Sequence, residues 1–297
     1  MKLKPMKLSC TNHWLTCVLL IHALAVQGAS VTLTPIADAT ISEKNGNAPI
    51  GGDATLQTGT TGSAAGYADS RALLRFNLAG SLPTNALINS ATLTLQLTST
   101  APAVTNLWED LRRLSRSWSE GVVSWTNRLT PPSPWSVPGG SAPSDFAVVV
   151  TQTKLITTNL GPYTFTSNNR MIADVQEWLA NPATNFGWIM ISELQGVPQS
   201  ECKFASRESG NNAPKLTILY SLPAIPPMLT ILSSSNGNFR FSFDAESNRT
   251  YAVEFSDELP SANWSALTNI SALPAAANII VASPFIASNR MHRVRTP

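Results

Sequence analysis

The stretch Arg170–Glu193, RMIADVQEWLANPATNFGWIMISE, carries both periodicities that decide the fold. In its first half Ile172, Val175, Trp178 and Leu179 recur at helical spacing, Ser167 or Asn168 can cap the start, and Asn181-Pro182 ends the run. The second half, from Gly187 to Glu193, is a short apolar run that reads as a strand. It is the one convincing helix after the leader, and the segments around it read as strands and turns. The helix is therefore expected to cover one edge or end of a β core.

Working outward, Arg71–Leu78 places Ala72, Leu74, Phe76 and Leu78 on one face and Arg71, Leu73, Arg75 and Asn77 on the other. Ala91–Thr98 alternates more cleanly, with Leu93, Leu95 and Leu97 inward and Thr92, Thr94, Gln96 and Thr98 outward. Phe146–Thr151, Gly187–Ser192 and Lys215–Tyr220 read as further strands, and clusters rich in Gly, Pro, Asn and Ser between them read as loops. Many short strands and one helix predict an all-β protein, an antiparallel β-sandwich of jelly-roll type. A second alternating series follows residue 228. It includes Phe239–Phe243, Tyr251–Phe255, Ile279–Val281 and Met291–Arg295, and predicts a small C-terminal β-domain.

The chain opens with Lys2, Lys4 and Lys7 ahead of the apolar run Trp14–Val26, the pattern of an export signal. The expected organisation is a signal over 1–28, a sandwich over 29–221, a Pro-rich linker over 222–228 and the small domain over 229–297. Secretion follows as an expectation. Past the signal, Cys202 is the remaining cysteine and His292 the remaining histidine, which argues against disulfides, a Cys-based zinc site and a Ser-His-Asp triad. The formal charge moves from +2 to −1, since three lysines and no acids precede residue 29. That balance argues against nucleic acid as a partner. No later stretch is long and apolar enough for a membrane span.

Several segments occur in a familiar order: Ala37-Asp38-Ala39, Leu56–Gly59, Arg71–Leu78, Ala91–Leu95, Trp118-Ser-Glu-Gly-Val-Val-Ser-Trp125, Asp174–Leu179 and Phe204–Glu208. Together, over about Val31 to Tyr220, they resemble the DNRLRE-domain proteins, which are related to disaggregatase and overlap carbohydrate-binding module family 96. The resemblance implies a jelly-roll module that binds polysaccharide, often anionic, or that contributes to a cell-surface matrix. Members often accompany lyases or hydrolases. This chain shows no separate catalytic domain, so the expected protein is non-catalytic, with surface or matrix proteins as alternative partners.

The residues suggest where a polysaccharide would bind. Arg71 and Arg75, two side-chain steps apart on one strand face, stand about 13 Å from each other and offer two cations to the carboxylates of a polyuronate. Arginine suits carboxylate because its planar fork donates two parallel hydrogen bonds. Lys44, Lys203 and Arg207 would extend the patch. If the strand ran on through residue 208, Arg207 would share a face with Lys203 and Glu208 with Phe204. Trp135, in a Pro-rich loop, and Trp108 are the candidate exposed platforms for sugar rings, whereas Trp118, Trp125, Trp178 and Trp188 read as core. Asp38, Asn45, Asn47 and Asp53 flank a Gly-rich loop and offer hard oxygen ligands for a structural calcium ion. As a weaker alternative, a lyase or hydrolase would draw on Asp38, Glu120, Glu193 and Glu208, or on Tyr67 and Tyr163 with Lys203.

Overall fold

The computed structural model describes residues 28–223, 227–235, 237–257, 263–284 and 290–296. The expected export signal and residues 224–226 of the expected linker lie outside the described residues. The chain divides into two units, one within residues 27–225 and one from residue 226 onward.

In the first unit, alternation of side chains draws eleven strands into antiparallel pairs. They are Ala29–Leu33 (β1), Pro35–Ser42 (β2), Thr55–Thr60 (β3), Asp69–Phe76 (β4), Leu87–Thr100 (β5) and Asn106–Arg113 (β6). Gln152–Thr157 (β7), Gly161–Phe165 (β8), the helix Asn169–Ala180 (α1), Trp188–Ser192 (β9), Cys202–Ala205 (β10) and Lys215–Ser221 (β11) follow. One layer runs β1-β11-β5-β10-β3, with β8 also pairing β5. The other runs β4-β9-β6-β7, with β2 pairing β4. Strand β3 joins the two: its first part pairs β10, and Gly59 and Thr60 cross over to pair β4. The result is the antiparallel β-sandwich expected from the sequence.

Between the layers lies the main core. Leu93, Leu95 and Leu97 of β5 meet Ala72, Leu74 and Phe76 of β4, Leu107 and Leu111 of β6, and Trp188 of β9. Each large side chain buried in this way contributes about 1.5–3 kcal/mol relative to exposure. Helix α1 packs against β5 and closes the core with Met171, Val175, Trp178 and Leu179. Asn168 is its cap: the side-chain oxygen accepts from the backbone N–H of Arg170 and Met171 at 2.9 and 2.8 Å. Asp174, on the buried face, accepts from Trp188 Nε1 at 2.9 Å and Thr151 Oγ1 at 2.8 Å, which ties the helix to β9 and to the approach to β7.

Two expectations are corrected. Phe146–Thr151 is not a strand: Phe146 makes an isolated bridge with Leu114, and β7 starts only at Gln152. The face of β4 opposite the main core is also not a solvated one. Residues 114–150 fold across it and bury a second core, in which Leu114, Trp118, Val123, Trp135 and Phe146 pack on Ala37, Ala39, Ile41, Leu73 and Ile189.

The second unit contains two three-stranded antiparallel sheets. One orders Thr230–Ser235 (β12), Asn238–Ala245 (β13) and Ala277–Pro284 (β16); the other orders Ser265–Ile270 (β15), Tyr251–Ser256 (β14) and Met291–Arg295 (β17). Phe241, Phe243, Ala245, Tyr251, Val253 and Val281 form its core. His292 stacks on Phe239 with ring centroids 5.3 Å apart, and burial lowers its pKa.

Candidate functional site

The covering segment determines the fate of the two strand arginines. Arg71 does project from the face opposite Ala72 and Leu74, but there it meets protein. Its Nη1 donates to the carbonyls of Gly139 and Gly140 at 2.7 and 2.8 Å, and Nε and Nη2 donate to Gln195 Oε1. The guanidinium carbon lies 5.5 Å from the Trp125 ring centre and 5.9 Å from that of Phe146. Arg71 therefore anchors the covering loop and has no free fork for a sugar carboxylate. Arg75 lies 5.3 Å over the Trp118 ring and reaches the Trp118 carbonyl at 3.4 Å. It lines a small separate cleft with Ile36, Asn77 and Asn185. The two arginines do not form a shared binding face.

Trp135 is likewise corrected. Only 3% of it is exposed, its Nε1 donates to the Ser124 carbonyl at 3.0 Å, and its ring belongs to the second core. A Pro-rich loop reads as open chain, yet here it serves as a lid over apolar sheet. Trp108 is exposed, at 44%, on the outer side of β6. Trp118, Trp178 and Trp188 are buried, as expected of core residues, and Trp125 is partly buried against the second core.

Lys44 and Lys203 do come together. A cleft of about 380 Å³ is lined by Lys44 and Asn45 of the short 3-10 turn after β2, Ile50 and Asp53 of the following loop, and Gln57 of β3. Ser42, Thr61, Gly62, Ala64, Ala65, Glu201 and Lys203 complete it. The fold produces this convergence directly. β10 pairs β3 with Lys203 opposite Gln57, while Thr40 of β2 accepts from the Gln57 backbone N–H at 2.9 Å. The Lys203 ammonium is 3.6 Å from Glu201 Oε1, whereas Lys44 has no ion-pair partner among the described residues. The cleft offers two ammonium groups, amides and hydroxyls, the donor and acceptor set that sugar hydroxyls and carboxylates require. No local pattern marks Gln57, Ser42, Thr61 or Glu201 as a site; the pairing of β3 with β10 and the ends of β2, β3 and β10 bring them together.

The expected calcium set is split. Asn45 and Asp53 line the cleft, while Asn47 accepts from Thr126 Oγ1 and Asn127 Nδ2. Asp38 lies elsewhere, fully buried on β2, among carboxylates from distant segments: ligand atoms of Asp38, Glu120 and Glu208 lie within 4.8 Å of one another. Burial pushes the Asp38 carboxyl up to about 7, against the opposing effect of the Arg207 backbone N–H that donates to it.

Arg207 belongs to this cluster, not to the cleft. The strand ends at Ala205, and Arg207 starts a 3-10 turn whose N-cap, Ser206, accepts from the Glu208 N–H. The alternation expected for residues 203–208 therefore fails, and the Arg207 Nε reaches Glu120 at 2.8 Å and Glu208 at 3.0 Å. Among the groups named for the enzymatic alternative, Tyr163 donates its hydroxyl hydrogen to the Asn159 carbonyl at 2.8 Å, and Glu193 accepts from the Trp108 backbone N–H at 2.7 Å. Both interactions are structural, the first within a turn and the second between residues 85 positions apart.

Residues 29–134 match the model of carbohydrate-binding module family 96. The resemblance drawn from the ordered motifs is thus shown over that segment, which holds β1 to β6, the cleft loop with Lys44 and Asp53, and part of the covering segment. The match supports a carbohydrate-binding role. No curated protein matches the chain. No helix among the described residues is long and apolar enough to cross a membrane.

Proposed function

We propose that the protein is a secreted, non-catalytic polysaccharide-binding protein whose first unit takes an acidic glycan, such as a polyuronate, in the cleft between Lys44 and Lys203. The observation that carries this reading is the convergence of those two ammonium groups with amide and hydroxyl side chains in a unit whose residues 29–134 match a carbohydrate-binding family. Lys44 is exposed and unpaired among the described residues, so a sugar carboxylate can approach it without first breaking an ion pair. Binding that depends on exposed ammonium groups weakens as salt is added.

The test is electrophoresis of the protein through native gels cast with alginate, pectate, neutral xylan or no polymer, with each polymer also assayed for chain cleavage. Retardation by the acidic polymers, lowered about tenfold or more in affinity by Lys44→Ala with Lys203→Ala, is the expected result, since a charge-assisted hydrogen bond contributes about 1.5–3 kcal/mol. Equal retardation by xylan would remove the acidic specificity, and cleavage would remove the non-catalytic reading. A structural role in a surface matrix has one observation in its favour: Ile231 and Leu232 are exposed on β12, an edge strand of the second unit. Self-association in light scattering without retardation by any polymer would favour that role.

A further inference from the structure

The carboxylate cluster at the other end of β2 has no place in the cleft reading. Asp38, Thr40 and Ser42 alternate along one face of β2; Ser42 lines the cleft, and Asp38 lies four residues away, about 13 Å along the strand. There Asp38 of β2, Glu120 of the covering segment and Glu208 of the 3-10 turn after β10 bring carboxylates together from three distant parts of the chain. One guanidinium, Arg207, touches two of them. Arg75 is the other nearby cation, close enough for Glu120 to act on its ionisation.

The hydrogen bonds leave specific oxygens open. Glu120 Oε1 accepts from the Asp38 N–H and Arg207 Nε, both at 2.8–2.9 Å. Glu208 Oε1 meets Arg207 Nε, and Oε2 accepts from Ser206 Oγ. Asp38 Oδ2 accepts from the Arg207 N–H, but Asp38 Oδ1 is buried with no hydrogen-bond partner among the described residues. A fully buried carboxylate oxygen without a donor is costly, and it needs either a proton or a cation.

We propose that Asp38, Glu120 and Glu208 bind a divalent cation, and that its chemistry selects calcium. All the donors are carboxylate oxygens, the ligands of hard cations. The ligand atoms lie within 4.8 Å of one another, near enough to share one ion, and calcium accepts the irregular coordination that groups from three separate segments offer, whereas magnesium demands near-ideal octahedral geometry. The carboxylates supply three or more of the six to eight oxygens, and water supplies the rest. Arg207 competes for the same groups as a built-in cation. The ion would pin the covering segment to β2 and to the turn after β10. It would also support the cleft, because Gly51 packs so closely that an added Cβ would lie 2.4 Å from the Glu120 carbonyl oxygen, and its neighbours Ile50 and Asp53 line the cleft.

The test is calorimetric titration of the chelator-treated full-length protein with calcium chloride and magnesium chloride, followed by thermal unfolding with and without calcium. One calcium per chain is expected, with a dissociation constant between about 10⁻⁵ and 10⁻³ M, and with magnesium weaker. Glu208→Gln, which keeps size and shape, should weaken calcium at least about tenfold. Arg207→Gln, which removes the competing cation, should bind calcium as tightly as the parent or more tightly, and Asp53→Asn in the cleft should leave it unchanged. Absence of uptake at about 10 mM calcium overturns the proposal, as does uptake unaffected by Glu208→Gln or abolished by Asp53→Asn. Each arm reads the ion itself, so the result does not depend on finding the polysaccharide.

Discussion

Arg71→Ala separates an anchor from a ligand residue. In the structure Nη1 holds the carbonyls of Gly139 and Gly140 at 2.7 and 2.8 Å, and two further bonds reach Gln195. A hydrogen bond to a charged group contributes about 1.5–3 kcal/mol, and because Arg71 is partly exposed the lower figure applies to each of the two short bonds. Their loss gives about 3 kcal/mol, and the contacts with Trp125 and Phe146 add about 0.5–1 kcal/mol. At about 2–4 °C per kcal/mol for a unit of this size, the midpoint of its thermal transition should fall by roughly 7–16 °C. Urea unfolding followed by tryptophan fluorescence reports the change directly, since Trp118 and Trp135 lie in the core that Arg71 seals. Polymer retardation, measured at a temperature where the variant is folded, should match the parent. A variant as stable as the parent to within about 0.5 kcal/mol that fails to bind polymer would refute the anchoring argument and restore Arg71 as a ligand residue.

Three further outcomes follow from buried groups. Burial pushes Glu109, which accepts from Thr58 Oγ1, from 4.5 up to about 8. The folded state therefore keeps a proton that the unfolded chain releases, and stability should fall as pH rises from about 4.5 to about 8 and then level. Asp38 adds a slope of the same sign up to about 7, and Glu109→Gln should flatten the urea-midpoint profile in part. Asp174→Ala strands the Trp188 indole N–H and the Thr151 hydroxyl in a buried setting, and should cost about 2–4 kcal/mol in urea unfolding, with Asp174→Asn costing less. Gly187→Ala should yield little folded protein, judged by the native fluorescence spectrum. Gly187 has φ +79°, and a Cβ there would lie 1.9 Å from the Leu74 carbonyl oxygen.

The helix and the sandwich were legible because each follows from a local rule. Asn168 caps and Asn181-Pro182 stops α1, and the alternation in Ala91–Thr98 survives unchanged inside the longer β5. The covering segment was not legible, because residues 114–150 contain hardly any regular structure and bury their side chains without a period. The trace it left was indirect. Leu73 sits in the polar register between Arg71 and Arg75, and Trp118, Trp125 and Trp135 crowd a stretch without strand alternation. Reading that face as solvated made the arginines look free, and reading the Pro-rich loop as open made Trp135 look exposed. Phe146–Thr151 failed for a related reason: an apolar run needs a strand partner, and only Phe146 finds one. The partnership of Asp38 with Glu120 spans 82 positions, and no local pattern encodes it.

The loss of the arginine face also changes what specificity the proposed binding should have. A pair of guanidinium forks fixed at a strand spacing of about 13 Å would test the repeat of the polymer, because each fork demands a carboxylate in its plane. The cleft instead presents two ammonium groups, one on an exposed 3-10 turn and one on β10. An ammonium is a compact charge on a flexible stem, and accepts a carboxylate from many directions. Affinity should then follow the charge density of the chain more than its linkage. Alginate and pectate of matched length and uronate content should retard the protein with affinities within about threefold of each other, a difference under about 0.7 kcal/mol. Both should fall together as salt rises from low to physiological strength, where exposed charges are screened beyond about 8 Å. Discrimination of more than about tenfold between the two polymers at equal salt would show that shape, not charge, governs the cleft, and would shift attention to Gln57, Asn45 and the wall formed by Thr61, Gly62, Ala64 and Ala65.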